Sequence, residues 1–130
     1  MDDLLAFLRA RLAEDEAVAR AAMWDDGPSA VWTDRPPKDR YERHTVTDYC
    51  DDGVVVVTPE NADAVGVGPH IARHDPARIL AEVEAKRQAV DRYAWLHEHG
   101  DTGGMAWVLR ALAAPFADHR DYRPEWAPDA

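Results

Sequence analysis

The sequence predicts an α+β fold: a small antiparallel sheet covered by two long amphipathic helices, with a third helix and a docked C-terminal tail. Three observations lead there. An apolar stripe at three- and four-residue spacing opens the chain, and a second one follows Asp75-Pro76. Between them lie short β-branched runs separated by turn residues.

The first helix follows from Leu4, Leu5, Leu8, Leu12, Ala19 and Ala22, with Asp2 or Asp3 as its cap and an end near Ala22. Glu16 and Arg20, four apart, form a supporting pair on the wet face, and Gly27-Pro28 stops any continuation. Strands are expected at Val31–Thr33, Thr45–Cys50 and Val54–Thr58, because Val, Thr and aromatic side chains pack well on a pleated surface. Asp51-Asp52-Gly53 supplies the turn between the last two, with Gly53 able to take positive φ. Four successive valines, Val54 to Val57, predict a strand covered on both faces, or central with helices on one side.

Gly66-Val-Gly-Pro69 then punctuates the chain, and Pro69 opens a helical turn through His74. Asp75 is a helix N-cap, and Pro76 occupies the first helical position, where a missing N–H costs nothing. Ile79, Leu80, Val83, Val90, Tyr93, Ala94 and His97 form the stripe of that second long helix, and Glu82 precedes Lys86 by four on its wet side. A last helix fits Gly104 to Ala114, with Met105, Val108, Leu109 and Leu112 facing inward, Asp101 or Thr102 as cap and Pro115 limiting it. Phe116, Tyr122 and Trp126 give the tail enough apolar surface to dock.

With 130 residues the chain has the length of one domain, 1–130, able to bury a core without disulfides. Fifteen Lys and Arg against 25 Asp and Glu leave a formal charge of −10, which opposes a phosphate backbone, so direct nucleic-acid binding is not expected. The basic segment Arg35 to Arg43 contains Pro36 and Pro37 and reads as a solvated loop. Cys50 is the single cysteine, which excludes an intrachain disulfide and suits a reducing cytoplasm; its place in a strand suggests a small packing residue. No apolar run approaches the roughly 18–20 residues that cross a bilayer, and no signal peptide is evident, so a cytoplasmic protein is expected.

His70 and His74, four apart, place both imidazoles on one helical face, the spacing of His-x-x-x-His metal ligands. His119 is the candidate third ligand, with His44 and Asp118 as alternatives. The competing structural reading puts His74 at the C-terminus of a short helix, where an imidazolium favours the dipole, and packs His70 against the tail. His97 and His99, two apart, cannot share a face. Gly66-Val-Gly-Pro lacks the final glycine of a dinucleotide loop and no βαβ frame surrounds it, so no cofactor is expected. Packing accounts for most of the five tryptophans, but one or two exposed together would mark an interface. The function these observations imply is a non-enzymatic interaction or accessory protein whose partner is a protein or a second copy. The alternative is a metal-binding module or small hydrolase centred on His70, His74 and His119.

Three blocks also carry a family resemblance: Met1-Asp-Asp-Leu-Leu-Ala-Phe-Leu-Arg-Ala-Arg-Leu-Ala-Glu-Asp-Glu16, the stretch from His70 to Arg87, and Ala117-Asp-His-Arg-Asp-Tyr-Arg-Pro-Glu-Trp126. Together they resemble an uncharacterised family of small actinobacterial proteins. That resemblance implies a shared fold and carries over no catalytic residue. Ala72-Arg-His-Asp-Pro-Ala-Arg-Ile-Leu80 is similar, over a shorter span, to a helix-break-helix of phage and mobile-element accessory proteins, which implies a mobile-element setting.

Overall fold

The computed structural model describes residues 1–58, 66–100 and 104–128. Among them are four α-helices, α1 (Asp2–Ala21), α2 (Val67–Arg73), α3 (Pro76–Glu98) and α4 (Ala106–Ala113), and one three-stranded antiparallel sheet, so the fold is α+β. Two compact units are formed, one by residues 1–16 with 82–130 and the other by residues 17–81. The expected caps Asp101 and Thr102 lie outside the described residues.

In the first unit the helical stripes do what their spacing predicts. Leu4, Leu5, Phe7, Leu8 and Leu12 of α1, Val83, Val90 and Tyr93 of α3, and Leu109 and Ala113 of α4 are buried. Each of the buried Leu, Phe and Val side chains contributes roughly 1.5–3 kcal/mol on leaving water, so the stripe outweighs the surface ion pairs. Those pairs still cross-link α1 and α3: Arg9 reaches Asp91 at 3.2 Å, and Glu16 pairs with Arg87. The tail docks as expected, because Phe7 gives it an aromatic floor. Phe116, Tyr122 and Trp126 lie 6.4, 6.0 and 5.1 Å from the Phe7 ring, the first two edge-on, a favoured arrangement for aromatic quadrupoles. Pro115 and Pro124 each sit in a short 3-10 turn, Ala114–Phe116 and Pro124–Trp126, that bends this tail.

In the second unit β1 (Thr33–Arg35), β2 (Thr45–Thr47) and β3 (Gly53–Val56) pair in that order. Thr33 faces Thr47 and Thr45 faces Val56, with a bulge where Val46 and Thr47 meet Val55 and Gly53. Val46 on the central strand is completely buried. The valine run is not the covered strand its composition predicts. It forms an edge, with Val54, Val55 and Val56 exposed and only Val57 buried. A three-stranded sheet has two edges and one centre, and β-branched side chains favour all three alike. The turn also departs from expectation: the left-handed residue is Asp51 (φ 58°), not Gly53. Aspartate tolerates that region because its short carboxylate bonds locally.

The helix lying against β1 and β2 is the short α2, a role the sequence suggests for the two long helices. It can approach because residue 68 is glycine. The His44 Nε2 and Asp34 Oδ1 atoms, 2.5 Å apart, occupy the space beside Gly68, and a Cβ there would stand 2.6 Å from His44 Nε2 and closer still to Asp34 Oδ1. After α2 the chain restarts at Pro76 with Asp75 as the predicted cap: its Oδ1 accepts the Arg78 N–H at 2.8 Å. Its Oδ2 accepts the Trp32 N–H at 3.1 Å, which ties the segment before β1 to the helix start.

Candidate functional site

The best-organised exposed feature is built on the second unit from the end of α1, the turn that follows it and the connection from β2 to β3. Trp24 is 62% exposed and Tyr49 is 53% exposed, yet their rings stack at 5.7 Å and 17°. Trp24 Nε1–H donates to Asp48 Oδ2 at 2.7 Å. Its backbone N–H donates to Ser29 Oγ at 3.1 Å. Ser29 is in turn fixed by Asp25, whose Oδ1 accepts from the Ser29 hydroxyl at 2.6 Å, the Ser29 N–H at 2.9 Å and the Gly27 N–H at 3.1 Å. Asp48 is buried and organises the other side, its Oδ1 accepting the Cys50 and Asp52 N–H groups. The indole is therefore exposed to solvent and held in one orientation. A hollow of about 350 Å³ beside it is lined by Arg20, Met23, Asp25 and Asp26.

The hydrogen bonds set the charges. The Trp24 indole N–H, with backbone N–H groups behind it, holds the Asp48 carboxyl below the ordinary 3.8. Burial works to raise Asp25, but the Ser29 and Gly27 donors outweigh it and its carboxyl also lies low. The Cys50 thiol, burial and Asp25 push the Tyr49 hydroxyl above the usual phenol range, so it stays neutral. A carboxyl lowered by folding adds stability above its unfolded value and loses that contribution as pH falls through the folded one. Acidification below pH 3.8 is therefore expected to release Trp24 from Asp48, seen as an upfield movement of the Trp24 indole N–H resonance. Asp48→Asn should remove that step; the same titration in the variant would show that another group is responsible.

The sequence signals for this cluster were short Asp-centred turns, Asp25-Asp-Gly-Pro-Ser29 and Asp48-Tyr-Cys-Asp-Asp-Gly53, of the type in which a carboxylate bonds its own following backbone. They do not say that an indole is held above them. Cys50 is likewise not the strand packing residue expected: β2 ends at Thr47 and Cys50 is exposed in the connection. Nor does packing account for most tryptophans, since Trp24, Trp95 and Trp107 are exposed and Trp126 is buried.

The candidate histidines fall in different surroundings. His70 and His74 are both exposed, with ring centroids 4.5 Å apart, and His74 caps α2, its Nδ1 lying 2.8 Å from the His70 carbonyl. The expected packing of His70 does not bury it. His119 belongs to the first unit, where its Nδ1 accepts the Asp121 N–H at 3.0 Å and both ring nitrogens face Arg11 Nη1. Among the described residues the group of three donors close enough to share a cation is Asp48, Cys50 and Asp52, within 4.8 Å of one another. Both Asp48 oxygens already accept hydrogen bonds, so a cation there would displace part of the Trp24 mooring. Among the described residues no helix is long and apolar enough to cross a membrane.

Compared with known proteins, the chain matches none of the curated proteins and none of the solved structures. Its relationship comes from a family model that runs over residues 1–128, covering all three blocks that carry the sequence resemblance. The chain belongs to DUF6221, a family of unknown function.

Proposed function

We propose that this protein is a non-catalytic interaction module that docks a protein partner on the Trp24–Tyr49 platform, and that the docked surface presents Arg or Lys. One observation carries the reading: Trp24 is 62% exposed, yet its indole N–H is fixed by Asp48, its backbone N–H by Ser29 and its ring face by Tyr49. An exposed aromatic with its orientation already set loses little freedom on binding, which is the property of interface anchors. The chemistry around it selects the partner. Asp25 and Asp26 line the adjoining hollow, Asp52 lies beyond Asp48, and the whole chain carries −10. A guanidinium laid on the indole would gain both the ring face and the carboxylates.

The test is titration of the isotopically labelled protein with a synthetic peptide of alternating Arg and Gly, followed at the Trp24 indole N–H. A saturable shift is expected, weakening as salt rises from about 0.05 to 0.5 M because exposed charges are screened. Trp24→Ala should weaken binding about 30-fold or more, the usual effect of removing an aromatic anchor, while the cooperative urea transition is retained. A stationary resonance, or equal binding of a Glu-Gly peptide, would remove the proposal.

A further inference from the structure

We propose a second site, on the other unit and independent of the platform: the cleft between the start of α1 and the C-terminal tail binds a small ligand through an oxyanion, phosphate or carboxylate. The cleft has a volume of about 530 Å³, within the range of small-molecule sites. Ala6 and Ala10 on α1 leave it open, Arg11 and Asp3 lie on its α1 side, and Arg120, Asp121 and Arg123 stand on the tail side, three guanidiniums against two carboxylates.

Arg11 is the observation that points to an anion. Only 6% of it is exposed, and its buried Nε has no hydrogen-bond acceptor. Its other partners neutralise it poorly. Nη2 donates to Glu14 Oε1 at 2.9 Å, but that carboxylate is 59% exposed. Nη1 faces the His119 ring, and the guanidinium lies 4.9 Å over the Phe7 ring, neither of which supplies a formal negative charge while His119 accepts at Nδ1. A desolvated cation is costly unless paired, and the paired state here is incomplete. The two tail arginines can complete it. Arg123 meets Asp3 at 3.0 Å and Arg120 approaches Asp121 at 4.0 Å, both across exposed pairs of the kind that contribute little and exchange readily. A phosphate or carboxylate entering the cleft would draw Arg120 and Arg123 inward and add negative charge beside the buried Arg11 guanidinium, with bidentate geometry open to the two exposed tail guanidiniums. Tail packing places Trp126 and Tyr122 and holds Arg123 over the Trp126 ring at 5.6 Å, whereas Arg120 stands at the same wall with its side chain 90% exposed.

The experiment follows the Arg11 Nε–H resonance during separate titrations with inorganic phosphate, pyrophosphate and citrate, with sodium chloride holding ionic strength constant. Saturation with a Kd near 1 mM or below is expected for at least one of them. Tighter binding of pyrophosphate than citrate assigns a phosphorylated ligand, and the reverse assigns a carboxylated one. Arg120→Ala and Arg123→Ala, both at exposed positions, should each weaken binding at least tenfold, and Arg11→Met should abolish it. If Arg11→Met does not fold, the two tail variants decide. The proposal is overturned if no anion gives saturation, or if the double variant R120A/R123A binds as the natural protein does.

Discussion

Gly68→Ala will lower the stability of this protein by about 1–3 kcal/mol, although alanine is the better helix former by up to about 1 kcal/mol. Two effects of opposite sign compete at that position, and distance decides between them. A Cβ would stand 2.6 Å from His44 Nε2, and nearer than that to Asp34 Oδ1, far inside van der Waals contact. The contacts are side-chain ends, so the backbone need not move, but Asp34 must rotate away. His44 is 9% exposed and would then keep a buried ring nitrogen without its 2.5 Å partner. The lost hydrogen bond outweighs the gained propensity because α2 is short and its first turn gains least from either. Urea denaturation of Gly68→Ala, Asp34→Ala and the double variant checks this. The double variant should be destabilised by less than the sum of the two singles, because Asp34→Ala has already removed the group that the new methyl strikes. Additive costs, or a stabilised Gly68→Ala, would show that the pair tolerates the methyl group.

Asp75→Ala carries the second large effect, about 2–4 kcal/mol, because it deletes two functions of one carboxylate. Oδ1 caps α3 through the Arg78 N–H, and Oδ2 satisfies the Trp32 N–H forty-three residues earlier in the chain. Capping alone accounts for about 1 kcal/mol, and the remainder comes from leaving the Trp32 N–H without an acceptor. Asp75→Asn separates the terms, since an amide offers one oxygen to the helix and turns a donor toward Trp32. An intermediate loss is expected for Asn, with the Trp32 amide showing faster hydrogen exchange. A loss below about 0.5 kcal/mol in Asp75→Ala would mean that neither bond matters to stability.

These two predictions also mark where reading the sequence succeeds and where it stops. Asp75-Pro76 announces a helix start locally, and the structure begins α3 at Pro76. The second bond of Asp75 is not legible, because nothing near residue 75 specifies that the backbone of Trp32 arrives there. The same division holds in the candidate sites. The turn chemistry of Asp25 and Asp48 is readable from spacing, whereas the exposed Trp24 held above it is not. Arg11 is a lone charge among the leucines of α1, seven residues after Leu4, and only the structure shows that Phe7 and His119 enclose it.

By itself, the sequence determined the α+β class, the end of the first helix to within a residue, the start of the second long helix at Pro76, the cap at Asp75 and the docking of the aromatic tail, because periodicity, capping and aromatic content act over one or two turns of chain. Tertiary structure alone decided that Val54 to Val56 form an exposed edge, that Gly68 admits α2 against the Asp34–His44 pair, and that Arg11 is buried without a full set of partners. Exposure and close approach depend on what lies across from a residue in space, and a run of valines or a lone glycine looks the same in sequence whichever neighbour it meets.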